Sequence, residues 1–173
     1  MRKNELKKYI RDIPDFPKEG ILFKDITTLL KDKDAFRKAV NLLAKDYQKQ
    51  NIDIVVAIEA RGFILGGAVA HRLGAGFVPV RKKGKLPSKS ISQTYDLEYG
   101  TDTLEIHEDA IKPGARVLIL DDLLATGGTV KAVAELVKKL QGEIVGIAFL
   151  IELKFLKGKQ KIKDYPIVSL IKF

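Results

Sequence analysis

The 173-residue chain has no cysteine, no tryptophan, one methionine and two histidines, His71 and His107. Without cysteine there is no disulfide scaffold, no zinc–thiolate site and no cysteine nucleophile. Two histidines do not make a histidine-rich metal centre, and both read as structural; His71 stands alone near the end of a helical stretch. Long apolar runs are also missing. None approaches the roughly 20 residues of a membrane span, and the opening MRKNELKKYI is charged throughout, with no apolar leader. These absences point to a reducing, cytoplasmic setting. Acidic residues are in deficit: Lys and Arg number 31 against 22 Asp and Glu, a net charge of +9. That balance argues against an acidic-tail protein and favours an anionic partner, either nucleic acid or a phosphate-bearing small molecule.

Apolar residues make up 46% of the chain and charged residues 31%, enough for a core and against disorder. The length suits one domain. No repeat or low-complexity tract interrupts it. Residues 4–11 read as a short helix that stops at Ile13-Pro14-Asp15-Phe16-Pro17, because proline removes a donor and restricts the residue before it. Phe36, Val40, Leu43 and Tyr47 recur at helical spacing over residues 34–50. The run 52–58 is almost wholly apolar after Asp53, as in a strand buried on both faces. A helix over 62–73 with Gly74 as its stop, and a short strand at 77–80, follow.

Residues 81–94, RKKGKLPSKSISQT, show no period and read as a long loop of the kind that often closes over a site. Residues 95–99 and 103–107 then read as a hairpin about Gly100-Thr101-Asp102. Strands at 117–120, 144–153 and 167–171 and a helix over 129–140 complete an alternation of strand and helix. The fold class is therefore α/β with a mainly parallel sheet flanked by helices.

The most informative string is VLILDDLLATGGT, residues 117–129. A buried strand runs into two adjacent carboxylates, Asp121 and Asp122, then a loop with two glycines, then a helix. Ligands of open α/β sheets bind at the carboxyl ends of strands, and a helix N-terminus offers unpaired N–H groups and a favourable dipole to an anion. Glycines let backbone close around phosphate, and Thr126 and Thr129 add hydroxyl donors. The loop Ala125, Thr126, Gly127, Gly128, Thr129 thus reads as a phosphate-monoester cradle, with the two acids placed for sugar hydroxyls. The adjacent glycines and the missing Lys-Ser/Thr pair exclude a Walker loop, and G-x-G-x-x-G is absent.

This string resembles the phosphoribosyl-pyrophosphate (PRPP) signature of the type I phosphoribosyltransferases, in the form used by the branch that acts on adenine. Three further segments are similar to that family in the same order: FPKEGILFKDI at 16–26 (base segment), EARGF at 59–63 (pyrophosphate loop), and RKKGKLP at 81–87 with LEYG at 97–100 (mobile loop). The resemblance implies a single domain over 1–173, with a small N-terminal hood in about 1–33 and a mobile active-site loop and hairpin in about 81–107. It implies the reaction adenine plus PRPP to AMP and pyrophosphate, with Mg2+ held mainly by substrate and no protein metal cage, and a homodimer without nucleic-acid or membrane partners.

By that resemblance Asp121 and Asp122 hold the ribose and stabilise its cationic ring. Ala125, Thr126, Gly127, Gly128 and Thr129 take the 5′-phosphate, and Arg61, Arg81, Lys82 and Lys85 take the pyrophosphate. Glu98 handles the proton at the base and Tyr99 packs in the lid. Leu22, Phe23 and Lys24 meet adenine, Phe23 by stacking, with Leu153 or Leu156 on its other face. A non-proline cis peptide is implied close to Ala60-Arg61. The cluster Lys154, Lys157, Lys159, Lys161 and Lys163 has no phosphate-loop context and reads as solvated surface. Two alternatives stay open: a transferase for a 6-oxopurine, and a PRPP-sensing regulator that binds nucleic acid, although the first 20 residues are too short for a DNA-reading module.

Overall fold

The computed structural model describes residues 3–96 and 100–173. Its centre is a seven-stranded sheet. In chain order the strands are β3 (Ile54–Ile58), β4 (Gly76–Lys82), β5 (Ser90–Asp96), β6 (Thr101–His107), β7 (Arg116–Leu124), β8 (Glu143–Glu152) and β9 (Ile167–Lys172). Their spatial order is β5-β6-β4-β3-β7-β8-β9. The five from β4 to β9 are parallel, and β6 and β5 add an antiparallel edge. A separate ribbon pairs β1 (Arg11–Ile13) with β2 (Phe23–Asp25). The helices are α1 (Thr27–Leu30), α2 (Lys33–Lys45), α3 (Arg61–Leu73) and α4 (Gly128–Lys139).

The apolar strands bury both faces, and strand alternation sorts their side chains into two layers. Leu118 and Leu120 of β7 join Val55, Leu65, Val69 and Leu43 under α2 and α3. Val117 and Ile119 join Val56, Val133, Leu136 and Phe149 under α4. Helix ends follow from local chemistry. Asp32 caps α2 by accepting from the N–H groups of Asp34 (3.1 Å) and Ala35 (2.8 Å). Gly74 ends α3 in the left-handed conformation, φ 69°.

The chain crosses from β3 through α3 to β4 on one side, and from β7 through α4 to β8 on the other. Strands β3 and β7 are neighbours, so their following helices diverge to opposite faces and leave a crevice at the strands' carboxyl ends. Open α/β sheets bind ligands at such a switch point.

Several expectations change. The short helix expected over 4–11 is a 3₁₀ helix over 3–9, and the chain straightens at Arg11 to pair with β2. Helix α2 stops at Lys45, short of residue 50. The loop expected over 81–94 shrinks to 83–89: β4 runs through Lys82 and β5 begins at Ser90. The polar Ser-Ile-Ser-Gln-Thr stretch hides an edge strand whose backbone ladder with β6 runs from Ser90–His107 to Asp96–Thr101. The hairpin's first arm is therefore 90–96, and residues 97–99 lie outside the described residues. Strand β7 does not end at the carboxylates; it continues through them to Leu124, paired with β8 as far as Glu152.

Candidate active site

Strand alternation separates the two acids. Asp122 follows Leu118 and Leu120 to the α3 side, where its Oδ2 lies 2.7 Å from the Arg61 guanidinium. Asp121 turns toward the following loop and shares a small cavity of about 60 Å³ with Leu123, Leu124, Ala125, Thr126, Gly127, Thr129 and Val130. Its Oδ1 accepts from the Asp122 N–H at 2.8 Å. A Cβ on Gly62 would stand 2.7 Å from that oxygen, so the glycine lets the start of α3 approach the acid. Burial pushes the Asp121 carboxyl well above the usual carboxylate range, and the neighbouring Asp122 charge adds to it. Asp122 is also raised by burial, with the Arg61 charge opposing the shift.

The loop from Ala125 opens α4 through Gly127, whose φ of 80° is a left-handed conformation suited to glycine. The loop has a floor that sequence reasoning missed. Cβ atoms on Gly127 or Gly158 would collide with the backbone opposite, Gly158 and Ala125 respectively. Two glycine backbones thus pack face to face. Gly158 lies inside the lysine-rich segment, where Lys154, Lys157, Lys161 and Lys163 are exposed as read above, while Lys159 pairs with Glu152 at 3.2 Å. The only signal was a glycine among the lysines. On its other flank, Gly128 lies under the end of β5: a Cβ there would be 3.3 Å from the Asp96 carbonyl and 3.5 Å from the Tyr95 ring.

The four cations expected at pyrophosphate are all at this end of the sheet, and each is held by a carboxylate. Arg61 pairs with Asp122. Arg81 donates to Glu59 through Nε at 3.2 Å and NH2 at 3.0 Å, and the Lys82 N–H donates to the same carboxylate. Lys85 Nζ is 3.4 Å from Glu59, and Lys82 Nζ is 2.8 Å from Asp102. These bonds, Arg81 first, draw the Glu59 carboxyl down to about 2. The hydrogen bond to Asp102 raises the Lys82 pKa. Glu59 and Asp102 are the site residues with least warning in the sequence. The general signal was that a crowd of cations needs resting counter-ions. The non-proline cis bond expected close to Ala60-Arg61 lies at Glu59–Ala60.

Phe23 sits on β2 with its ring 4.9 Å from the Arg61 guanidinium carbon and edge-on to Phe16 at 5.1 Å. Leu22 beside it is exposed. The Lys24 carbonyl accepts from Arg61 at 3.3 Å. Arg61 therefore joins the base segment to the acid pair. Leu153 is half-buried, and its N–H donates to the Leu124 carbonyl. Glu98 and Tyr99 lie outside the described residues.

A parallel sheet with a glycine-floored loop at its switch point, an acid beside that loop and a ring of cations across the crevice has the chemistry to receive a phosphorylated sugar. Residues 26–172 match the family model described as the phosphoribosyl transferase domain. The chain is 60% identical over 168 residues to the adenine phosphoribosyltransferase of Acidobacterium capsulatum, covering 97% of this chain and 93% of that protein. The crystal structure of adenine phosphoribosyltransferase from Thermoanaerobacter pseudethanolicus superposes with a TM-score of 0.96 at 56% identity, covering 99% of this chain and 100% of that one. The Saccharomyces cerevisiae enzyme, solved with an imino-altritol bisphosphate and adenine, gives 0.90 at 42% identity, covering 96% of each chain. The chain belongs to the phosphoribosyltransferase family and, within it, to the adenine phosphoribosyltransferases.

Two outcomes follow from the electrostatics. A raised carboxyl pKa means that the ionised form is penalised in the fold, a penalty absent at low pH and present as pH rises past the folded value. Asp121→Asn is therefore expected to raise the melting temperature more at pH 8 than at pH 4, while cutting kcat by about 100-fold or more; thermal melts and steady-state rates check both. Glu59 has the opposite sign. Its lowered pKa contributes stability above the ordinary Glu range that is lost as pH falls toward about 2. Melts of wild type and Glu59→Gln should differ most near pH 6 and converge as pH drops from about 4.5 to 2.5.

Proposed function

We propose that the chain transfers the 5-phosphoribosyl group of PRPP to adenine, releasing AMP and pyrophosphate as a step of purine salvage. The observation that carries this reading is the phosphate loop at the switch point, with Asp121 beside it and four cations gathered around the same crevice. The family membership established above supports it.

The 5′-phosphate seats on the N–H groups and hydroxyls of Ala125–Thr129, which fixes the sugar next to Asp121. The N9 lone pair of the base forms the bond to ribose C1 as the bond from C1 to the pyrophosphate oxygen breaks, and the proton at N7 passes to Glu98. Positive charge grows on the ribose ring and negative charge on the leaving group. The Asp121 carboxylate, in a dry setting, stabilises the first; Arg61, Arg81, Lys82 and Lys85 stabilise the second. The cations must turn from Asp122, Glu59 and Asp102 to the pyrophosphate. The substrate's polyanion replaces those carboxylates, so the cations need no unpaired resting state. Phe23 stacks on the base, and Leu22 and Lys24 flank it through their backbone groups.

Magnesium fits this site as an ion carried by the substrate. Among the described residues no group of three or more His, Cys, Asp or Glu gathers to hold a metal, and magnesium keeps several waters and prefers phosphate and carboxylate oxygens. Asp121 is the carboxylate placed to meet its hydration shell. When bound, the ion neutralises charge on the pyrophosphate.

We also propose a cytoplasmic homodimer. The absence of cysteine supports the compartment. Among the described residues no helix is long and apolar enough to cross a membrane. Ile64 on α3 and Phe77 on β4, both exposed, support the interface; the Phe77 ring lies 5.8 Å from that of Phe63.

The test is pyrophosphate release from PRPP and magnesium with adenine, hypoxanthine, guanine or xanthine supplied in turn. Release is expected with adenine and at least about 100-fold less with the others, because mispaired polar groups in a site cost that much or more. No release with adenine contradicts the reading, and equal rates with a 6-oxopurine reassign its base.

A further inference from the structure

The β1–β2 ribbon has three paired positions and, among the described residues, no ladder to the seven-stranded sheet. A ribbon of that size does not hold itself in place; side chains must set its position. Successive residues of β2 point to opposite sides. Phe23 faces Arg61. Lys24 runs the other way into the protein and is only 8% exposed. Its ammonium lies 2.7 Å from Asp12, its register partner on β1, and 3.9 Å from the centre of the Phe173 ring. A buried ammonium needs such partners, and an aromatic face attracts a cation most strongly where water is excluded. Lys7 places a second ammonium 4.1 Å from the same ring and donates to the Lys172 carbonyl at 3.0 Å. Phe173 is itself fixed to the main sheet: its N–H donates to Glu152 (3.0 Å) and its carbonyl accepts from Lys154 (2.9 Å).

We propose that Phe173 is a positioning residue for base binding: its ring holds Lys24, and through Lys24 it sets the position of Phe23. The inference rests on the reading of Phe23 and its flanking backbone as the adenine contact. A continuous path runs from β8 through the Phe173 ring and the Lys24 side chain to the strand that meets the base. The same residue is tied on the site side, since the Lys24 carbonyl accepts from Arg61. Loss of the ring frees the ammonium to seek water and loosens β2 against the crevice. The phosphate loop on β7 and α4 lies outside that path, which meets the PRPP side only through the single Arg61 hydrogen bond to the Lys24 carbonyl, so the effect falls mainly on adenine.

The test varies adenine and PRPP separately in steady-state assays of the full chain. Phe173→Leu keeps apolar bulk and removes the aromatic face. It is expected to raise KM for adenine about five- to tenfold, between the scales of an exposed and a fully desolvated cation–π contact, with KM for PRPP and kcat within about twofold. Phe173→Tyr keeps the ring and should restore the wild-type adenine KM. Lys7→Met, at an exposed position, is expected to move adenine KM about twofold in the same direction, and it decides the matter if Phe173→Leu does not fold. An unchanged adenine KM in these variants, or equal rises for both substrates, overturns the proposal. Wild-type protein that turns over no adenine overturns the base-strand reading and this inference with it. That outcome is distinct from active wild type with an unmoved Phe173→Leu.

Discussion

Two helices leave adjacent parallel strands toward opposite faces of the sheet, and the site is built on that divergence. Strand β3 delivers Glu59 and then Arg61 at the start of α3, while β7 delivers Asp121, Asp122 and the loop that opens α4. Because the strands are hydrogen-bonded neighbours, with Ala57 opposite Leu120, these two groups stand side by side without any long-range arrangement. The close approach has a steric condition. Gly62 must be glycine-sized for α3 to start against Asp121, and Gly127 and Gly158 must be so for the phosphate loop to rest on its floor. The apolar layers on both faces make the strands rigid, so the acids and amides are held before any ligand arrives.

Charge is arranged on the same plan. Seven groups around the crevice form three anion-centred sets: Asp122 with Arg61, Glu59 with Arg81 and Lys85, and, farther along the edge, Asp102 with Lys82. A crevice lined by four cations is thereby nearly neutral at rest, which avoids like-charge repulsion among them. Asp121 stands apart. Among the described residues it belongs to none of these sets, and burial works against its charge, only partly opposed by the Arg61 charge. A carboxylate in that position is costly to the fold and useful to a reaction that develops positive charge next to it, the exchange of stability for function common at active sites.

Much of this was legible in the order of residues. The apolar run at 54–58, the helical spacing in α2 and α4 and the string from Asp121 to Thr129 each carry a period or a loop chemistry that few other structures satisfy. What escaped notice did so for physical reasons. Strand β5 is an edge strand of mostly polar residues, so its ladder with β6 leaves little trace in hydrophobic pattern. The carboxyl end of β7 lies beyond the expected one because acids at the end of an apolar strand look like a stop; pairing with β8 carries the strand through them. Gly158 and Phe173 lie far along the chain from the residues they support, and nothing local distinguishes a glycine that floors a loop from one in a surface turn. The counter-ion roles of Glu59 and Asp102 follow from distances alone.

The central claim is that the backbone from Thr126 to Thr129 grips a sugar phosphate. Amide chemical shifts of 15N-labelled protein, followed during titration with AMP and separately with adenosine, test it most directly. The account predicts that AMP moves the Gly127, Gly128 and Thr129 amides, the orphan donors at the start of α4, and that adenosine, which lacks the phosphate, leaves them in place. Equal shifts with both ligands, or AMP binding that leaves those three amides unmoved, would contradict it.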